Sequence, residues 1–402
     1  MLKNFTAAPH RVMFFGGAMQ SIAVMLWWMM DILTRYILVG QVIVWPINAS
    51  AAHAYLMIYS MLPFFMFGFL MTTFPRWMAG NEIPARHFVP AFVLMFAGAI
   101  TFYFGLWLGS VWLIAAVAST MAGWGVALYA LLRVLSDTRP GDKRHTIALW
   151  IALFMGWLGL ATYLVGLILN DTQWLQLATQ CGIWLFLMPV FISVAHRMIP
   201  FFTSNALSQP DVPRPFWPWW IMLACSVAHG ILSFAQLPQW TWVCDLPLAL
   251  SALYFSYLWG FRRSLKNPLL AVLHVGFAWM GIGMLLFSVQ SLFVLTLGEY
   301  IWALAPLHAL TIGCFATLMI GMGTRVTLGH SGLPFIIGTT LKLMFVGMQL
   351  VTLVRVLADM LPLQLGYWLY VAAALGWLTC FIPWVWRYLP AYWRPRADGQ
   401  PG

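Results

Sequence analysis

The chain has 402 residues, of which 62% are apolar and only 7% are Asp, Glu, Lys or Arg, and its mean hydropathy is +0.86. Such a composition excludes a soluble globular protein and leaves little chain for any soluble domain. Residues 1–402 are therefore read as one all-α polytopic transmembrane domain. The net charge of +10 invites a nucleic-acid partner, but the placement of the charges below removes that reading.

About 20 apolar residues cross a bilayer as a helix. On that length the sequence predicts twelve crossings, at 12–33, 52–74, 88–107, 111–133, 147–169, 175–195, 218–235, 241–260, 269–293, 302–322, 336–358 and 365–388. With the N-terminus cytoplasmic, 18 of the 20 Lys and Arg residues fall on the cytoplasmic side, leaving Arg35 and Arg355 outside. This asymmetry follows the positive-inside rule, places both termini inside and accounts for the basic charge without nucleic acid. The first apolar segment, after "MLKNFTAAPHR", carries no small-residue cleavage pattern and reads as a retained helix.

The stretch "HRMIPFFTSNALSQPDVPRPFWP", 196–218, reads as the longest cytoplasmic connection and divides the chain into two six-helix halves without evident similarity. Pro63 and Pro189 fall inside helices and are expected to kink them. The five cysteines, with no C-x-x-C spacing, read as small buried apolar residues. Tryptophans such as those of "WPWW" and "WVWRYLPAYW" read as an interfacial belt.

All ten carboxylates fall in loops or near helix ends: Asp31, Asp171, Asp245, Glu299 and Asp359 outside, Glu82, Asp137, Asp142, Asp211 and Asp398 inside. The absence of an acid at mid-membrane weighs against a proton pump or proton-coupled transporter. The nine histidines are the main chemical resource. His53, His229 and His308 lie towards the outside on three helices. His10, His87, His145, His196 and His330 lie at the cytoplasmic face, with His274 about 8 Å into the ninth crossing. Each could simply be hydrogen-bonded. Facing imidazoles from two helices could instead hold a haem iron axially, and imidazole equally suits copper, zinc or iron. Haem propionates would need cations, and Arg35 and Arg355 are the two outer candidates.

The runs "PHRVMFFGG" (9–17), "HAYLMIYSMLPFFMFGFLMTTFPRW" (53–77), "HRMIPFFTSNAL" (196–207), "LHVGFAWMGIG" (273–283) and "PLHALTIGCFATLMIGMGTRVTLGHSG" (306–332) resemble the NnrS family. The resemblance implies a haem- and copper-containing protein of the bacterial inner membrane, with a role in the nitric oxide response, denitrification and nitrosative stress. The family often has a second histidine and an acid where this chain has Tyr55 and Leu56.

A more distant similarity is to the catalytic subunit of haem-copper oxidases and nitric oxide reductases, which also has a twelve-helix core. It is carried by His53, Met57, Ile58, Pro63, Gly68 and Phe69. That similarity implies haem ligation by His53 and His308 and puts His229 near a copper-ligand position. Helix six lacks the superfamily's outer histidine, helix seven has "AHG" in place of paired histidines, and helix ten has one histidine in place of two, so no binuclear oxygen-reducing centre is expected. His10, His274 and His330 recur in the family-like motifs and could form a second metal site, or be polar packing with Arg11 and Arg325.

The expected protein thus carries haem b, with copper a further expectation, and binds or converts nitric oxide in contact with membrane lipids and an electron donor. The alternative is a permease for a small solute or metal whose histidines line the pathway.

Overall fold

A backbone inside hydrocarbon must satisfy its own hydrogen bonds, and an apolar chain does so as helices. The computed structural model of the protein describes residues 2–38, 42–136, 141–207 and 212–399; Asp137, Arg139 and Asp211 of the charge reading lie outside the described residues. The described residues are helical and contain no strand. Eleven helices are long and apolar enough to cross a membrane: α1 (Pro9–Ile37), α2 (Ala49–Trp77), α3 (Ala85–Leu108), α4 (Ser110–Leu135), α5 (Arg144–Leu169), α6 (Thr172–Leu207), α7 (Phe216–Phe234), α9 (Pro268–Leu297), α10 (Ala305–His330), α11 (Thr339–Ala358) and α12 (Leu363–Tyr392). The remaining expected crossing is the shorter helix α8 (Trp242–Leu258). At 17 residues it is about 25 Å long. The protein is an all-α polytopic membrane protein.

Helices adjacent in sequence pack side by side: α1 on α2, α3 on α4, α8 on α9 and α11 on α12, while α12 returns to α1. The α3–α4 seam is built by close backbone approach. A Cβ on Gly123 would meet the Ala91 carbonyl oxygen at 2.7 Å and the Met95 nitrogen at 2.8 Å. Small residues permit such contact between membrane helices.

Six helices precede and six follow the connection after Leu207, and across them one feature recurs every fourth helix. The three most buried spans are α2, α10 and α6, at 89%, 78% and 67%, whereas α3, α4, α5, α11 and α12 are each at 44%. The same three carry internal π-helical segments: Leu56–Met61 in α2, Gly182–Leu187 in α6 and Ala309–Ala316 in α10. Two of these end just before Pro63 and Pro189. A proline has no N–H for the preceding turn, and the wide π turn is how the chain accommodates the expected kinks. Such turns concentrate at functional sites, and by the charge-derived orientation all three lie in the outer half.

Helix α6 runs to Leu207, so 196–207 is helix and not part of a loop. His196 and Arg197 look like a helix end in sequence, yet His196 is buried. Helix α10 likewise continues to His330. The tryptophan belt is partial, because Trp124, Trp184, Trp219, Trp259, Trp377 and Trp384 are fully buried. All five cysteines are free; four are buried and Cys225 is half-buried.

Candidate functional site

His53 sits in the first turns of α2, after an Asn48 side chain that accepts the Ser50 N–H and caps the helix. Its imidazole stacks on Trp28 of α1, with ring centroids 4.2 Å apart, and its Nδ1 is buried without a hydrogen-bond partner. Tyr55 and Leu56 are fully buried. The Tyr55 hydroxyl donates to Thr120 Oγ1 of α4 at 3.1 Å while its ring stacks on Phe102 of α3. That position faces away from the Trp28 side, so His53 stands without help from it.

His308 lies immediately before the π segment of α10. Its Nδ1–H donates to the Leu304 carbonyl at 3.0 Å, which leaves Nε2 with a free lone pair. His53 and His308 lie within electrostatic reach of each other and of Arg355.

The two outer arginines occupy mirrored arrangements. Arg35, in the π-helical end of α1, donates to Asp31 Oδ2 at 2.5 Å, and Trp45 Nε1 donates to Asp31 Oδ1 at 2.7 Å. Arg355 pairs with Asp359 Oδ2 at 2.9 Å, and the Tyr370 hydroxyl donates to Asp359 Oδ1 at 2.5 Å. Tyr36 stacks on Tyr367 and approaches Tyr370, joining the two pairs. Both carboxylates are almost wholly buried; the i,i+4 spacing in "DILTR" and "RVLAD" is the sequence signal for these pairs. Each guanidinium has five donors, so both retain capacity for a further anion.

His229 of α7 donates from Nδ1 to Asp245 Oδ1 at 2.5 Å. Its ring is stacked at 3.5 Å on Trp184, a residue of the α6 π segment. Asp245 lies in the first turn of α8, as a helix-end acid, and is nevertheless fully buried. A cavity of about 120 Å³ lies beside this pair, lined by Gln180, Trp184, His229, Gln290, Tyr300 and Leu304 among others. It therefore reaches the residue that tethers His308.

On the inner side, His10 packs on His330 with ring centroids 4.4 Å apart. His274 instead meets Thr203 Oγ1 at 2.9 Å, so the three are not gathered as one donor set among the described residues. Arg11 is buried and donates to the Asn4 and Arg394 carbonyls. Arg325 donates to the Leu269 carbonyl and lies over Phe202. His145 and His196 form a buried pair, Nε2 to Nδ1 at 2.8 Å, which continues to the Pro215 carbonyl. His87 contacts Tyr129. An apolar cavity of about 70 Å³ separates the inner and outer groups, lined by Phe65, Met66, Phe191, Leu273, Met319 and Gly323 among others. Outside the spans, the Asp142 carboxyl is held well below the usual carboxylate range by its hydrogen bonds and ion pair with Arg144.

A search of curated proteins finds no match to the chain. The sequence profile of the family described as NnrS protein matches residues 4–396, nearly the whole length, and the chain belongs to the NnrS family.

Proposed function

We propose that the protein is a haem-binding membrane protein of nitric oxide metabolism or nitrosative-stress defence, resident in the bacterial cytoplasmic membrane, in which His53 and His308 would hold one haem b. The observation that carries this reading is the state of the two imidazoles. A buried nitrogen without a partner costs free energy, and His53 Nδ1 is such a nitrogen. His308 is fixed by Leu304 in the manner of a ligating histidine whose second nitrogen is held by a carbonyl.

Bound there, haem would supply a one-electron redox couple, and nitric oxide would reach its iron only at a position given up by one of the two imidazoles. The chain's own residues do the rest. Trp28 holds the His53 ring, Leu304 sets the tautomer of His308, and Arg355 and Arg35 offer donors to propionates. Nitric oxide is uncharged and soluble in lipid, so it needs no polar entry channel, and the apolar cavity between α2, α6, α9 and α10 has room for such a molecule.

The test is the absorption spectrum of the purified protein before and after dithionite and nitric oxide, beside His53→Ala and His308→Ala. A Soret band lost or converted to a high-spin form in both variants is the expected result. A colourless wild type from haem-sufficient cells would remove the reading and favour a permease.

A further inference from the structure

We propose that His229, Cys244 and Asp245 form a binding site for a thiophilic first-row metal ion, of the copper(I) or zinc(II) class, at the turn between α7 and α8. The site stands apart from the His53–His308 pair and does not depend on haem.

The fold brings the donors together by a tight connection. Helix α7 ends at Phe234, a 3₁₀ turn spans Pro238–Trp240, and α8 begins at Trp242. His229 therefore faces the first turn of α8, where Cys244 and Asp245 are consecutive. One ligand atom from each lies within 4.8 Å of the other two, and all three residues are buried. Three atoms so placed share a point within about 2.8 Å of each, against roughly 2.0–2.3 Å for nitrogen, oxygen and sulfur ligation of zinc. Movements of about 0.5–0.8 Å by each donor would close the site.

A simple His–Asp ion pair leaves one observation without a reason. Asp245 is fully buried, yet its Oδ2 has no hydrogen-bond partner, an expensive condition for a carboxylate. A cation would satisfy it. The Cys244 sulfur, which donates to the Thr241 carbonyl at 3.0 Å, lies 3.9 Å from Asp245 Oδ1, near enough to share that cation.

The surroundings hold the imidazole in place. Trp184 lies flat against it, and Phe287 meets its edge. Trp184 is itself fixed, its Nε1 donating to Gln180 Oε1 at 2.9 Å and its carbonyl accepting from Ser226 Oγ at 2.5 Å. A ligand ring held this way is pre-organised for a metal. Binding through Nδ1 needs the His229 proton on Nε2 instead, and it releases the thiol proton of Cys244 to water. Imidazole with thiolate and carboxylate suits a borderline or soft ion better than magnesium or calcium.

The experiment strips the full-length protein in detergent with a chelator and titrates it separately with zinc(II), copper(I) and cobalt(II). The expected result is one tight equivalent in the wild type and a sulfur-to-cobalt charge-transfer band. Cys244→Ser should abolish that band, and Asp245→Asn should weaken binding by more than the roughly 10–100-fold lost with an outer-shell partner. His53→Ala should keep the ion, so failure of the haem reading and failure of this one give different results. A wild type that takes up none of the three ions, or a Cys244→Ser protein that binds as the wild type does, overturns the proposal. If either variant fails to fold, the presence or absence of the cobalt band in the wild type decides.

Discussion

The indole of Trp28 lies almost parallel to the imidazole of His53, with 4.2 Å between ring centroids and 21° between planes. Two helices that are neighbours in sequence thus hold the ring from one side while its Nδ1 remains unpaired. A stacked pair of this kind is worth about 0.5–1.5 kcal/mol beyond its buried area. Trp28→Leu should therefore loosen His53 and, on the proposal that His53 holds haem, weaken haem retention up to about tenfold. Haem loss to apomyoglobin measures this, and an unchanged loss rate would show that Trp28 does not support the ligand.

The Arg355–Asp359 pair gives a stability prediction independent of any cofactor. Asp359 is 3% exposed, so Arg355→Gln leaves a buried carboxylate without its cation, a change that costs about 3–5 kcal/mol when fully buried. Asp359→Asn added to Arg355→Gln should recover most of the loss. Thermal unfolding in detergent of the two singles and the double gives the cycle, and additive losses would refute coupling.

Two glycines of α4 should behave in opposite ways. A methyl on Gly123 meets α3 backbone on both sides, and overpacking of this kind costs about 1–3 kcal/mol. At Gly125 the nearest atom is Trp157 Nε1 at 3.6 Å. Gly125→Ala should be neutral or stabilise by up to about 1 kcal/mol through helix propensity. Protease sensitivity of the two alanine variants orders them.

The loop before α5 carries a small acid-sensitive contribution. Because Arg144 depresses the Asp142 pKa, the pair's stabilisation is complete above the unfolded-state value of about 4 and is lost as pH falls through the lower folded value. Both partners are largely exposed, so the effect is small and shrinks with salt. Asp142→Asn should remove this part of the pH dependence, which sets in below about pH 5 and continues down through the lowered folded value, without altering the rest of the curve.

Depth in the membrane was legible from hydropathy and charge, because both report on distance from water. The positions of the long helices, the outer placement of His53, His229 and His308, and the inner placement of His10 and His330 all follow from it. Direction around each helix axis was not legible where a helix is apolar on every side. Asp245 and Asp31 do lie near helix ends, as read, but their burial against His229 and Arg35 was not legible. The end of α6 was misplaced for a related reason. A histidine, an arginine and a proline in succession look like a boundary, but His196 is held by His145 and Pro215 and the helix continues.

The π segments of α2 and α10 have an evolutionary consequence. Each is equivalent to one extra residue in an otherwise regular helix, and one residue corresponds to about 100° of rotation. Deleting a single amino acid from Leu56–Met61 or Ala309–Ala316 would leave a span just as greasy and nearly as long, yet swing its N-terminal end by more than a quarter turn. His53 or His308 would then leave the centre of the bundle, an error that no hydropathy plot would register.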